Sequence, residues 1–147
     1  MSFRSTTVRL AAALALAAGL PVAAHAEDSA ALAAAAKEPG AVVTPSGLVF
    51  RSLKEGTGAS PKASDTVTVN YVGTFPNGTH FDASTEPIKF PLRAVIKCWT
   101  EGVQKLKVGG KAKLTCPSDI AYGRKGAGDV IPPYATLVFE VELLAIE

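Results

Sequence analysis

From Thr136 the chain reads TLVFEVELLAIE, an alternation of apolar and polar positions that predicts a strand with one buried face, because strand side chains point to opposite sides with period two. Leu137, Phe139, Val141 and Leu143 fall on the inner face. Thr136, Glu140 and Glu142 fall on the wet one, with Val138 the one apolar residue among them. Strand signals also come at GLVFRSL (47–53), TVTVNYVGT (66–74), IKFPL (88–92) and KAKLTC (111–116). In these, Val67, Val69 and Tyr71 share a face, as do Ala112, Leu114 and Cys116. The period changes over 96–106, where Ile96, Trp99, Val103 and Leu106 recur at helical spacing, and Gly109-Gly110 is placed to stop that helix. Asn77-Gly78 predicts a tight reversal between Thr74 and Phe81. The expected class is α+β, an antiparallel sheet of about five strands packed on one short α-helix.

The stretch before the last strand, AYGRKGAGDVIPPYA (121–135), is not ordinary surface loop. Val130 and Ile131 are apolar, and Pro132-Pro133 fix their own backbone and hold the residue before them extended, so something apolar is expected beneath. The aromatics point the same way. Tyr71, Phe81, Phe90, Trp99, Tyr122 and Phe139 exceed what one helix on one small sheet needs, and buried Tyr and Trp require partners for their polar atoms. Some of them are expected to line a concave apolar pocket with a few polar groups at its rim.

The amino terminus divides the chain further. Arg4 and Arg9 precede the apolar run LAAALALAAGL, and AHA at 24–26 has the small-x-small form of a cleavage site, so residues 1–26 read as a signal peptide cut after Ala26. The run is too short for a stable bilayer anchor, which takes about 20 apolar residues, and no cysteine stands at the cut, so no membrane anchor is expected in the mature form. Residues 27–45, Ala-rich and closed by Pro39-Gly40 and Pro45, read as a linker with at most a fraying helical turn. Residues 46–147 remain as the domain. Loss of Arg4 and Arg9 takes the basic count from 15 to 13, equal to the 13 acidic residues, and a chain of zero formal charge lacks the basic face that nucleic acid demands. The lysines of KLKVGGKAK (105–113) alternate with apolar residues as on a solvated face. His80 is the domain's one histidine and there is no Cys-x-x-Cys, so neither a metal nor another cofactor is expected.

With these features in place, VTVNYVGTFPNGTHFDAS (67–84), VIKCWTEGVQKLKVGGKAKLTCP (95–117) and AYGRKGAGDVIPPYATLVFEVELL (121–144) resemble the FKBP-type peptidyl-prolyl cis-trans isomerases, the macrolide-binding immunophilins. The resemblance covers about 46–147 and implies a twisted antiparallel β-sheet wrapped around one helix. It also implies a pocket with Trp99 as floor, Tyr71, Phe81 and Phe139 as walls, Val95 and Ile96 along one edge, and Asp82, Tyr122, Val130 and Ile131 at the rim, under a flap formed by the glycine-rich loop. Ile88 and Phe90 complete the expected substrate contacts. Ile88 stands where relatives often carry an aromatic, Ala127 where some have a larger flap residue, and Cys98 where glycine is usual.

The function so implied is catalysis of X–Pro isomerisation, without nucleophile or cofactor, in a monomer acting in the periplasm on unfolded or partly folded proline-containing polypeptides; macrolide inhibitors are expected ligands. Two donors are candidates to meet the substrate amide: the Tyr122 hydroxyl, by resemblance, and the Ile96 backbone N–H, unpaired at a helix start. Asp82 either polarises the site through Tyr71 or a backbone N–H, or fixes the turn after the hairpin. The rival class is a binding module or chaperone that keeps the fold and catalyses poorly. Cys98 and Cys116, both inside an exported domain, are a candidate disulfide if the helix edge leans on the strand's end, which Gly102 permits; the alternative is two buried free thiols.

Overall fold

The structure, a computed structural model, describes residues 20–147, with side chains from Asp28 onward. Most of the expected signal peptide, residues 1–19, lies outside the described residues. The elements run α1 (Leu20–Ala36), β1 (Ala41–Val43), β2 (Val49–Lys54), β3 (Thr66–Thr74), β4 (His80–Ala83), β5 (Ile88–Pro91), a 3-10 turn (Leu92–Ala94), α2 (Lys97–Val103), β6 (Lys111–Cys116), a second 3-10 turn (Ser118–Ile120) and β7 (Leu137–Ile146). All pairings among these strands are antiparallel, in the order β1-β2-β6-β7-β3-β4, with β5 beside β4 on the same edge of β3. The protein is an α+β fold in which one sheet face closes on α2.

Alternation explains the closure. Val67 and Val69 of β3, Ala112, Leu114 and Cys116 of β6, and Leu137, Phe139, Val141 and Leu143 of β7 are buried and meet Trp99, Val103 and Leu106. Glycine sets how close α2 lies: a Cβ on Gly102 would stand 2.8 Å from both methyls of Leu114. That approach brings Cys98 within reach of Cys116. The two are joined as a disulfide, with Cα atoms 5.9 Å apart, a separation ordinary for such a bond.

Several expectations need correction. The helix expected over 96–106 is shorter, because Ile96 is an extended cap (φ −58, ψ 149) and Lys105 and Leu106 close tight turns onto Gly102 and Val103. There are seven strands among the described residues rather than about five. One addition, β4, continues the hairpin begun at Asn77-Gly78, where Gly78 has φ +90. Thr136, expected to face water, is buried.

The other addition, β1, lies in the stretch expected as a linker. Residues 27–45 instead carry the second half of α1 and then β1, which pairs with β2. Alanine suits a helix by intrinsic propensity. Tertiary contact supplies the rest: Ala35 and Thr44 are buried, and Glu38 bridges two strands. Arg51 and Lys113 stand directly opposite each other on β2 and β6, a like-charge pair that on its own is unfavourable. One Glu38 oxygen lies 2.9 Å from Arg51 Nη1 and the other 2.7 Å from Lys113 Nζ, while Arg51 Nε donates to the Pro39 carbonyl. The hydrogen bond from Lys113, aided by Arg51, holds the Glu38 carboxyl below its ordinary value despite some opposition from burial. A lowered folded-state value means stabilisation that is present above the ordinary carboxylate range and lost as pH falls through it. Glu38→Gln is therefore expected to cost about 1 kcal/mol at neutral pH. Urea melts at a series of pH values should show the difference from the parent vanish in acid; a pH-independent gap would show that the ion pairs are not its source.

Candidate functional site

The site lies where the sheet wraps past the start of α2. β3 contributes Tyr71, β7 Phe139, β5 Phe90 and α2 Trp99, and these four rings surround a cavity of about 440 Å³. Trp99 is their hub. Its ring meets Tyr71 at 5.0 Å, Phe90 at 5.4 Å and Phe139 at 5.4 Å between centroids, each nearly perpendicular. Edge-to-face packing of this kind fixes ring orientation as well as burying area. Three strands thus contribute the rings that hold the floor.

The segment 92–96 forms one side, with Ala94, Val95 and Ile96 on the cavity. Sequence reasoning passed over Ala94, since a lone exposed alanine carries no signal; its position one residue before Val95 was the available clue. Asp82 and Tyr122 complete the lining. Of the residues expected at the site, Tyr71, Asp82, Phe90, Val95, Ile96, Trp99, Tyr122 and Phe139 come together around this cavity.

Four others stand elsewhere. Phe81 packs behind the wall, its ring 5.6 Å from Phe139 and 5.0 Å from Phe75, and supports the cavity without lining it. Ile88 is exposed on the β5 edge, where it pairs with Val69. Val130 is exposed on the loop, and Ile131 is buried in the core instead of at a rim. Backbone geometry accounts for that last pair. Ala127 and Ile131 exchange N–H to carbonyl bonds of 2.8 and 3.1 Å, and Gly126 (φ +64) passes so close that a Cβ there would sit 2.2 Å from the Ile131 oxygen. With Ile131 drawn inward as the plug of this loop, Val130 turns to solvent. The loop is tied at its root by the Tyr134 N–H, which donates to the Gly123 carbonyl at 2.9 Å.

Polar atoms at the cavity fall into bonded and free sets. The Tyr71 hydroxyl donates to Asp82 Oδ2 at 2.7 Å, and Asp82 Oδ1 accepts the Ala83 N–H at 2.9 Å. Asp82 thus holds the Tyr71 hydroxyl with one oxygen and the backbone after the turn with the other. Burial, reinforced by that carboxylate, pushes the Tyr71 phenol well above its ordinary value, so Tyr71 remains a neutral donor throughout the physiological range. Among the described residues the half-exposed Tyr122 hydroxyl and the Ile96 N–H have no hydrogen-bond acceptor. The buried Trp99 Nε1–H is also without one. The site is an apolar aromatic cup lined by two residues with unspent donors, Ile96 and Tyr122.

An antiparallel sheet closed on one helix, with an aromatic cup at the start of that helix, defines a small α+β protein with a preformed apolar cavity. The match to known proteins is narrower. A family model described as FKBP-type peptidyl-prolyl cis-trans isomerase matches residues 58–144, and the chain belongs to that family. It is 56% identical over 119 residues to an FKBP-type peptidyl-prolyl cis-trans isomerase FkpA of Aeromonas hydrophila, covering 79% of this chain and 44% of that protein. Over 114 residues it is 49% identical to an FKBP-type 22 kDa peptidyl-prolyl cis-trans isomerase of Escherichia coli, covering 76% of this chain and 55% of that one. The chain thus spans about half the length of these curated relatives. Among solved structures, a peptidyl-prolyl cis-trans isomerase of Pseudomonas syringae pv. tomato superimposes with a TM-score of 0.82 at 42% identity, over 86% of this chain and 95% of the other.

Proposed function

We propose that this chain is a peptidyl-prolyl cis-trans isomerase that binds X–Pro segments of unfolded or partly folded exported proteins in the Trp99 cup and accelerates their isomerisation. The observation that carries the reading is the pairing of a preformed aromatic cavity with two free donors at its rim. Rotation about an X–Pro bond breaks amide resonance against a barrier of about 18–20 kcal/mol. A pocket lowers that barrier by binding the twisted amide more tightly than either planar form, and every ~1.4 kcal/mol of such preference gives about tenfold in rate. Proline's ring fits against Trp99, between Tyr71, Phe90 and Phe139. The carbonyl before proline, which loses conjugation as the bond twists, is met by Tyr122 O–H or Ile96 N–H. Asp82 acts at one remove by keeping Tyr71 in its wall position.

The same reading makes macrolide inhibitors ligands of the cup, the working form a monomer, and the periplasm its compartment, on the pattern of residues 1–26. It assigns the isomerase domain to residues 46–147. A protease-coupled peptide assay on the chain without residues 1–26 tests the activity. Tyr122→Phe and Asp82→Leu are each expected to lower kcat/KM, by about tenfold for the lost donor. No activity in the parent, or full activity in both variants, would favour a module that binds without catalysing. Sedimentation at micromolar protein should return monomer mass, and dimer mass would overturn that assignment.

A further inference from the structure

We infer that Thr100 is a positioning residue for this reaction, its hydroxyl holding the segment 92–96 so that the Ile96 N–H meets the bound amide. The inference rests on the isomerase reading above and adds to it a residue that does not line the cavity.

The segment from Leu92 to Ile96 links β5 to α2 and brings Ala94, Val95 and Ile96 to the pocket. Its start is anchored: the Leu92 side chain is fully buried and the Leu92 N–H donates to the Asp65 carbonyl at 3.0 Å. Beyond that point Val95 (φ −114, ψ 175) and Ile96 (φ −58, ψ 149) are extended, outside any helix or strand. Among the described residues a single side chain hydrogen-bonds this segment. Thr100 Oγ1 lies 2.6 Å from the Leu92 oxygen and 3.4 Å from the Ile96 oxygen.

A hydroxyl has one hydrogen to give, and a threonine within a helix ordinarily spends it on the carbonyl four residues back. Here that carbonyl, Ile96, already accepts the N–H groups of Trp99 at 3.0 Å and Thr100 at 3.1 Å. The short bond goes instead to Leu92, outside the helix. Thr100 therefore ties the beginning of the segment to the same helical turn that holds its end. Since the direction of the Ile96 N–H is set by the backbone angles between those two fixed points, loss of the tie frees the donor to reorient, and misplacement of a catalytic contact by about 1 Å can cost about a hundredfold in rate. Trp99, one residue earlier on α2, is held independently by its ring contacts, so proline binding is expected to survive.

The test compares Thr100→Val, which keeps the shape and removes the hydroxyl, with Thr100→Ser, which keeps the hydroxyl. The readouts are kcat and KM on one X–Pro peptide in a protease-free assay, the Ile96 amide resonance by NMR, and urea stability. Thr100→Val is expected to lower kcat about tenfold or more with KM within about threefold, and to move the Ile96 resonance. Thr100→Ser is expected to return both to near the parent. Unchanged kcat in a folded Thr100→Val variant overturns the inference, as does a folded Thr100→Ser variant as slow as Thr100→Val. If the valine variant does not fold, Thr100→Ala takes its place in the same comparison. An inactive parent is a different result, which removes the isomerase reading itself.

Discussion

Replacing Trp99 with alanine is expected to abolish macrolide binding and to lower stability by about 3 kcal/mol. The two effects share one cause. Trp99 is almost wholly buried, and its ring is the surface on which Tyr71, Phe90 and Phe139 pack edge-on, so truncation opens the floor of the cavity and releases three of its walls together. Trp99→Phe provides the control. Because the indole N–H has no acceptor among the described residues, a phenyl ring forfeits area but no hydrogen bond, and the stability loss is expected to be less than half as large. Calorimetric titration with a macrolide, beside urea melts of both variants, checks the pair. If affinity survives Trp99→Ala unchanged, the cup is not the binding site, whatever happens to stability.

Breaking the Cys98–Cys116 bond is expected to cost a similar amount, about 3 kcal/mol in the chain-entropy account for a closed loop of this order of length; the two cysteines are separated by 18 residues. Both are fully buried, so a reductant is expected to act slowly on the folded protein and quickly once urea has opened it. The bond joins α2, one residue before Trp99, to the end of β6, and so it clamps the floor of the cup to the sheet. Melts with and without reductant, and a Cys98→Ala/Cys116→Ala variant, measure the contribution. The direct check is thiol titration of the unfolded, unreduced protein without residues 1–26: none should react, and two reactive thiols per chain would refute the bond. Activity is expected to fall less than stability, because the ring contacts of Trp99 remain.

The sequence by itself determined the two structural periods and most of what they bury. The limits of β3 and β6, the inner faces of Val67, Val69, Leu114, Phe139 and Val141, and the helical placement of Trp99 and Val103 follow from local alternation, which each strand or helix carries within its own few residues. The aromatic surplus pointed to a pocket, and the family resemblance of the motifs around Tyr71, Trp99 and Tyr122 implied eight of the residues now found around it. What only the tertiary structure decided depends on partners distant in the chain. An alanine-rich stretch with little to bury carries part of α1 and all of β1, held by long-range contacts: β1 pairs with β2, Ala35 and Thr44 are buried, and Glu38 reaches Lys113, 75 residues on. Phe81 packs on Phe139 and Phe75, and Ile131 is buried in the core with its backbone paired to Ala127, contacts that no local pattern announces. Thr100 could not be picked out at all, since a threonine in a helix looks alike whether its hydroxyl bonds its own turn or a carbonyl outside it. Periodicity states which side of an element is dry; which group it meets there is settled by long-range packing.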